Sequence, residues 1–360
     1  LTSSLSADFE TKSSYSVTVT ATDSDANTFS QSFTLSVTNL IEAETVSGTV
    51  VDGYVSGATV KLLDADGNII ATTTTDSLGQ YTLNADDNNG TRIVVDGGVD
   101  TSTGEPVTVT LSASKGSSYV SALTTIIDQA GSDAATVLTN LGLPSTFDLA
   151  TSNPLETLEA QQINAALINI MAVGESLLEG AGLTDGEGDE LIVAQIVEAL
   201  KTSIDISSTS AIKSIIDLST TSLTEVGAAR VQELSAATSE SISNINKQIS
   251  ESSSISQIAV YQKSVLDDTD SLLTQVATAA ASTTAVIEVI TESAAEASAK
   301  EAALDLGLNV SPFITLDSLI NVKENILSGD GFSTIVATDP EGEKITFSIQ
   351  GDDSNLFDVS

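Results

Sequence analysis

The apolar rhythm of the chain changes three times. From residue 15 apolar side chains alternate with Ser and Thr (Tyr15, Val17, Val19). A polar turn follows at Asp23, Asp25 and Asn27, and then Phe29, Phe33, Leu35 and Val37 share one face. Period-two alternation around a turn predicts a β-hairpin with buried apolar residues facing one way. Short apolar runs at 45–51, 58–63, 68–74, 80–83, 91–95 and 106–112 come next, punctuated by Gly- and Asp-rich turns such as Asp52-Gly53, Gly67 and Gly79. Strands with a turn about every ten residues predict a β-sandwich.

Near residue 118 the period becomes helical. Leu155, Leu158, Ile163, Leu167, Ile170, Met171, Leu177 and Leu178 form one broad stripe over 155–178, opened by Asn153 and Pro154 and closed by Gly180 and Gly182. Further helices are predicted at 190–202 and 210–218, and long Ala/Ser/Thr-rich ones at 222–252 and 255–302. In the long pair, residues such as Val231, Leu234, Ile242, Ile245, Ile249, Ile258, Val265 and Val276 keep a three-to-four spacing. Small residues between them allow close approach, so an antiparallel hairpin or bundle is expected. The Ala/Glu content of 277–300 predicts helix on propensity alone. Alternation returns at 313–316, 319–322, 332–337 and 344–349, with a turn at 339–342.

The expected fold is therefore multidomain and mixed, with Greek-key β-sandwiches and an all-α helical hairpin or bundle. Its segments are 1–43 (β), 44–115 (β-sandwich), 116–306 (helical) and 307–360 (β).

Charge narrows the functions. Lys and Arg number 12 against 50 Asp and Glu, a net charge of -38, which excludes nucleic acid as a partner and disfavours anionic membrane surfaces. Such a surface keeps molecules dispersed, and it also favours Ca²⁺, which takes carboxylate and carbonyl oxygens. No apolar run reaches the ~18 residues of a membrane span, so no membrane insertion is expected. The chain has no Cys and no His. Disulfides, thiolate or imidazole metal sites and Cys or His catalysis are ruled out.

No Gly-x-Ser-x-Gly elbow or phosphate-binding loop occurs, and no carboxylate pair stands out, so the expectation is not an enzyme. Asp64, Asp66 and Asn68 read as a hairpin turn around Gly67. The acidic run 185–190 lacks the Gly and terminal Glu that an EF-hand loop needs, and reads as a helix connection with acidic capping. No signal peptide is visible, and a start at Leu1 without Met points to a chain cut from something longer.

The two ends carry complementary motifs. "SPFITLDSLINVKEN" and "IVATDPEGEKITFSIQGDDSNLFDVS" resemble the front half of a cadherin-like domain, including Glu324 and Asn325 of its v-x-E-N signature. The opening residues resemble the back half, with Ala7, Asp8, Phe9 and Glu10 at the L-D-y-E motif and Ala21, Thr22 and Asp23 at A-x-D. Reading Ser360 into Leu1 nearly completes one such domain. "GTVVDGYVSGATVKLLDADGNIIATTTTDSLGQYTL" at 48–83 is similar to prealbumin-like, carboxypeptidase-regulatory-type sandwiches of large repetitive bacterial surface proteins. "YVSALTTIID" at 119–128 resembles the segment that often follows such sandwiches there.

The cadherin resemblance implies Ca²⁺ at the poles of the split domain. One pole would draw on Glu324, Asp8 and Glu10, the other on Asp339, Glu341, Asp23 and Asn309. Ile41 and Val310 depart from the family's usual linker ligands. The implied function is an extracellular, cell-surface structural protein, one period of a fibre or filament joined head to tail through the split domain. Its partners would be other copies of itself or adjacent repeats, with the helices offering further contacts. The rival is a spacer or stalk segment of a giant adhesin.

Overall fold

The computed structural model describes residues 7, 9, 11–38, 43–85, 89–143, 147–184, 186–202, 205, 207–267, 271–282 and 284–306, and the backbone of 313–315 and 336–338. The chain is mixed α/β, and no described helix is long and apolar enough to cross a membrane.

Strands β1 (Ser14–Thr22) and β2 (Thr28–Ser36) form the predicted antiparallel hairpin. Its register places Tyr15 opposite Leu35, Val17 opposite Phe33 and Ala21 opposite Phe29, so these share a face with Val19 and Gln31. The other face is all Ser and Thr, tied by the Thr18–Ser32 (2.9 Å) and Thr20–Ser30 (2.6 Å) hydroxyl pairs. The expected burial of the apolar side does not hold: Phe29 is 70% exposed, Phe33 45% and Leu35 48%. A two-stranded ribbon is one layer thick, and its apolar face stays open until another layer covers it.

The next strands are β3 (Glu44–Val50), β4 (Val55–Ser56), β5 (Thr59–Leu63), β6 (Ile69–Thr74), β7 (Gln80–Ala85), β8 (Arg92–Asp96), β9 (Val99–Asp100), β10 (Leu111–Ser114) and β11 (Tyr119–Val120). They build a four-stranded sheet ordered β10-β8-β5-β6, a three-stranded sheet ordered β11-β3-β7, and the small pair β4-β9. Alternate residues point inward: Val60 and Leu62 from β5, Tyr81, Leu83 and Ala85 from β7, Ile93 and Val95 from β8. The strand predicted at 106–112 is shifted, because Pro106 makes only an isolated bridge to Val99 and the ladder with β8 begins at Leu111. Proline lacks the N–H that a central ladder position needs.

The helices are α1 (Ala122–Ala130), α2 (Ala134–Asn140), α3 (Leu158–Gly180), α4 (Glu187–Lys201), α5 (Thr209–Leu218), α6 (Glu225–Glu251), α7 (Ile255–Leu266), α8 (Leu272–Ala280) and α9 (Glu292–Asp305). Helix α3 is the hub, packing against α1, α4, α6, α7 and α8. Asn153 caps the 3-10 turn that leads into it, its Oδ1 accepting from the Leu155 N–H. Helix α1 opens with a capping box between Ser121 and Thr124 and lies on β10, where Thr125 Oγ1 accepts from the Ser112 N–H. The apolar positions predicted for the long helices are buried within this chain. Buried residues from β3 through Ala295 form one continuous hydrophobic core spanning sheets and helices.

The long helix expected over 255–302 is instead three. Ser271 starts α8 anew by capping the Thr274 N–H. Residues 284–291 remain non-helical: six of the eight are β-branched Thr, Val or Ile, and α6 takes backbone groups of Ala285 and Ile290. Ser241 Oγ accepts from the Ile290 N–H (2.9 Å), Asn244 Nδ2 donates to the Ile290 carbonyl (2.8 Å), and the Arg230 guanidinium binds the carbonyls of Ala279 and Ala285. These tertiary hydrogen bonds act on a run whose β-branched residues already disfavour helix by a few tenths of a kcal/mol each.

Near the C-terminal end, β12 (Phe313–Thr315) pairs antiparallel with β13 (Val336–Thr338). The strands expected at 319–322 and 344–349 lie outside the described residues.

Candidate functional site

Two features carry chemistry. The first is the two-faced β1–β2 hairpin. Turn residue Asp23 locks it: Oδ1 accepts from the N–H groups of Asp25 and Asn27 (both 2.9 Å), and Oδ2 from Asn27 Nδ2 (3.0 Å). These bonds, that from the Asn27 side chain foremost, hold its carboxyl below the usual pKa. Asp64 repeats the arrangement with Asp66 and Asn68 in the β5–β6 hairpin. Asp23 is thus a turn lock in the described structure. The other residues expected to hold Ca²⁺, namely Asp8, Glu10, Asn309, Glu324, Asp339 and Glu341, lie outside the described residues. Among the described residues no three acidic side chains converge closely enough to hold a metal ion.

The second feature is a belt of buried polar groups where strands meet helices. Asp52, in the turn between β3 and β4, is only 1% exposed. Gln161 Nε2 of α3 donates to its carbonyl (2.5 Å), and Gln262 Nε2 of α7 donates to its Oδ1 (2.9 Å). Burial, then the neighbouring charge of Asp100, push the Asp52 pKa up to about 8, against the hydrogen bond from Gln262. Asp100, at the end of β9, accepts from the Ser102 N–H (2.8 Å), Ser102 Oγ (2.9 Å) and Thr103 Oγ1 (3.2 Å). Gly53 is what allows this approach: a Cβ there would lie 2.1 Å from Asp100 Oδ1.

Farther along the belt, Lys263 of α7 pairs with the buried Glu105 and lies 3.4 Å from Asp267. Arg92 Nε donates to Asp128 Oδ2 of α1 (2.5 Å). Asp189 of α4 accepts from the Thr110 N–H (2.6 Å), and burial pushes its pKa up to about 6 against the hydrogen bonds from Thr110 and Glu175. The acidic run before α4 does supply first-turn acids, Glu187, Asp189 and Glu190, yet Asp189 faces inward.

Sequence reasoning missed this belt. Asp52-Gly53 has the form of an ordinary turn. The available signal was the set of polar residues Gln161, Asn164 and Asn169 among the apolar positions of α3, all of them buried. No family model, no curated protein and no solved structure matches the chain.

Proposed function

We propose that this chain is an extracellular, non-catalytic structural protein, one period of a surface fibre that joins head to tail. In this reading the apolar face of β1–β2 is covered by residues 307–360 of the next copy, completing a cadherin-like Greek-key sandwich. Residues 44–115 are read as a prealbumin-like sandwich, with 116–306 as the helical domain built onto it.

The observation that carries the reading is the hairpin's apolar face. Tyr15, Val17, Val19, Ala21, Phe29, Phe33 and Leu35 line up on one side of a ribbon whose other side is entirely Ser and Thr. Covering a large apolar side chain contributes about 1.5–3 kcal/mol, so several together suffice for a stable joint. The resemblance of the two chain ends to complementary halves of one domain names the cover. Ca²⁺ at the cadherin-type acids would reinforce the joint, but the apolar contact does not require it.

One observation favours a second reading. The apolar stripes of α6, α7 and α8 are buried inside the chain, and among the described residues of these helices Val226 is the one large apolar side chain left exposed. That suits a spacer segment in a giant adhesin, where the same joint would link consecutive repeats of one polypeptide.

A capping experiment tests the fibre reading. Adding residues 307–360 as a separate peptide to the assembling chain should shorten the polymers in proportion to peptide added, as measured by light scattering. Polymers of unchanged length would remove the proposed cover.

A further inference from the structure

We propose that Asp52, Asp100, Gln161 and Gln262 form a binding site for a hard divalent cation, Ca²⁺ in the first instance, at the joint between the strands and the helices. This goes beyond the head-to-tail reading and does not depend on it, since none of the four belongs to the hairpin or to 307–360.

Three observations converge. Two carboxyl groups, 1% and 2% exposed, are brought together by the β3–β4 turn and the end of β9, and no Lys or Arg contacts either among the described residues. Lys263, the basic residue of the same belt, is engaged by Glu105 and Asp267. Two neighbouring amides are also fully buried: Gln161 is 2% exposed and Gln262 0%. Each sends its nitrogen to Asp52, and each leaves its Oε1 without a hydrogen-bond partner. Buried acceptors without donors are rare, and such an orphan in a native fold marks an absent partner. Finally, Gly53 lets the Asp100 carboxyl pack directly against the turn that carries Asp52, since a Cβ at Gly53 would lie 2.1 Å from Asp100 Oδ1.

Carboxylates and amide oxygens are the ligands Ca²⁺ takes, six to eight in number at flexible geometry, and they suit neither zinc nor a soft metal. Two carboxylates counted singly or in bidentate fashion, two amide oxygens and water reach that number. A divalent cation would also relieve the charge crowding that acts on Asp52. Because α3, α7 and both turns contribute, the ion would clamp strands to helices, stiffening the body of the unit and not its ends.

The test uses the whole 360-residue chain, with calorimetric Ca²⁺ titration and thermal unfolding in chelator or in CaCl₂. The acidic surface will bind Ca²⁺ diffusely, so variants decide. Asp52→Asn and Asp100→Asn are near-isosteric and neutral, Gln262→Leu removes an amide oxygen, and Asp23→Asn reports on the hairpin turn. The expected result is one stoichiometric site with a Ca²⁺-dependent rise in Tm. Asp52→Asn and Asp100→Asn should weaken that site roughly tenfold or more, Gln262→Leu should weaken it, and Asp23→Asn should leave it intact. Absence of a stoichiometric site overturns the proposal, as does a site that survives in both Asp52→Asn and Asp100→Asn. A site lost only in Asp23→Asn would place the ion at the hairpin and equally overturn it. Should one neutral variant fail to fold, the other and Gln262→Leu still decide.

Discussion

Val17 and Phe33 stand directly opposite each other across the β1–β2 ladder, on the apolar side of a ribbon whose other side carries only Ser and Thr. Phe33 is nearly half exposed there. Among the described residues nothing buries this face, so a charge at this position disturbs no described core. Phe33→Asp should therefore leave the thermal unfolding of the isolated chain unchanged while weakening head-to-tail assembly roughly 100-fold or more. Sedimentation velocity alongside a thermal melt separates the two effects. A large drop in Tm would mean that the face is covered within the chain.

The Lys263–Glu105 pair has both side chains about nine-tenths buried. Lys263→Met strands the Glu105 carboxylate in a desolvated place and should cost about 3–5 kcal/mol in urea unfolding. The double variant Lys263→Met with Glu105→Leu should recover most of that loss, because replacing both charges removes the desolvation cost. Additive losses would show that the pair is not coupled.

Asp189 makes stability fall as pH rises. Its native pKa of about 6 lies above the ordinary 3.8, so the folded chain keeps a proton that the unfolded chain has already released. The contribution is fully present below pH 3.8 and is lost by about pH 6, amounting to about 3 kcal/mol. Glu175 and Glu179 act on it from α3. Asp52 is shifted in the same direction, so the useful quantity is the wild-type stability minus that of Asp189→Asn across pH 4–7. That difference should decline through the window; a flat difference would mean that Asp189 ionises normally.

Gly79 turns the chain into β7 with φ of +71°, and a Cβ there would come within 2.5 Å of the Val50 carbonyl oxygen. Gly67 has a φ of +83° with open space around it. Gly79→Ala should cost about 2–4 kcal/mol and Gly67→Ala only about 1, measured by chemical denaturation. Equal costs would mean that the contact with Val50 relaxes freely.

The parts of this fold legible in the sequence are those set by local pattern. The strands from Thr59 to Asp96 and the helices α4, α5 and α6 fall within a few residues of their expected bounds, because alternation and three-to-four spacing record which side faces a core. The errors arose where distant groups intervene. Arg230, Ser241 and Asn244 bind the backbone of Ala285 and Ile290; the β-branched run 284–291 was a local signal against helix that the Ala/Glu content of the wider stretch masked. The short strands β4, β9 and β11 carry too few residues for a period. The Asp52 cluster joins residues up to 210 positions apart, so the polar interruptions of α3 were visible while their partner was not. The hairpin's apolar face was legible as apolar, but its exposure was not, because alternation within two strands does not record whether another layer packs on them.

The most direct test of the account is electron microscopy of the assembled 360-residue chain, measuring the axial repeat. The account predicts filaments with a single uniform repeat, in which density from residues 307–360 of one copy lies on the apolar face of β1–β2 of the next. Isolated particles at assembly concentrations, or filaments whose contacts leave Val17 and Phe33 facing solvent, would contradict it.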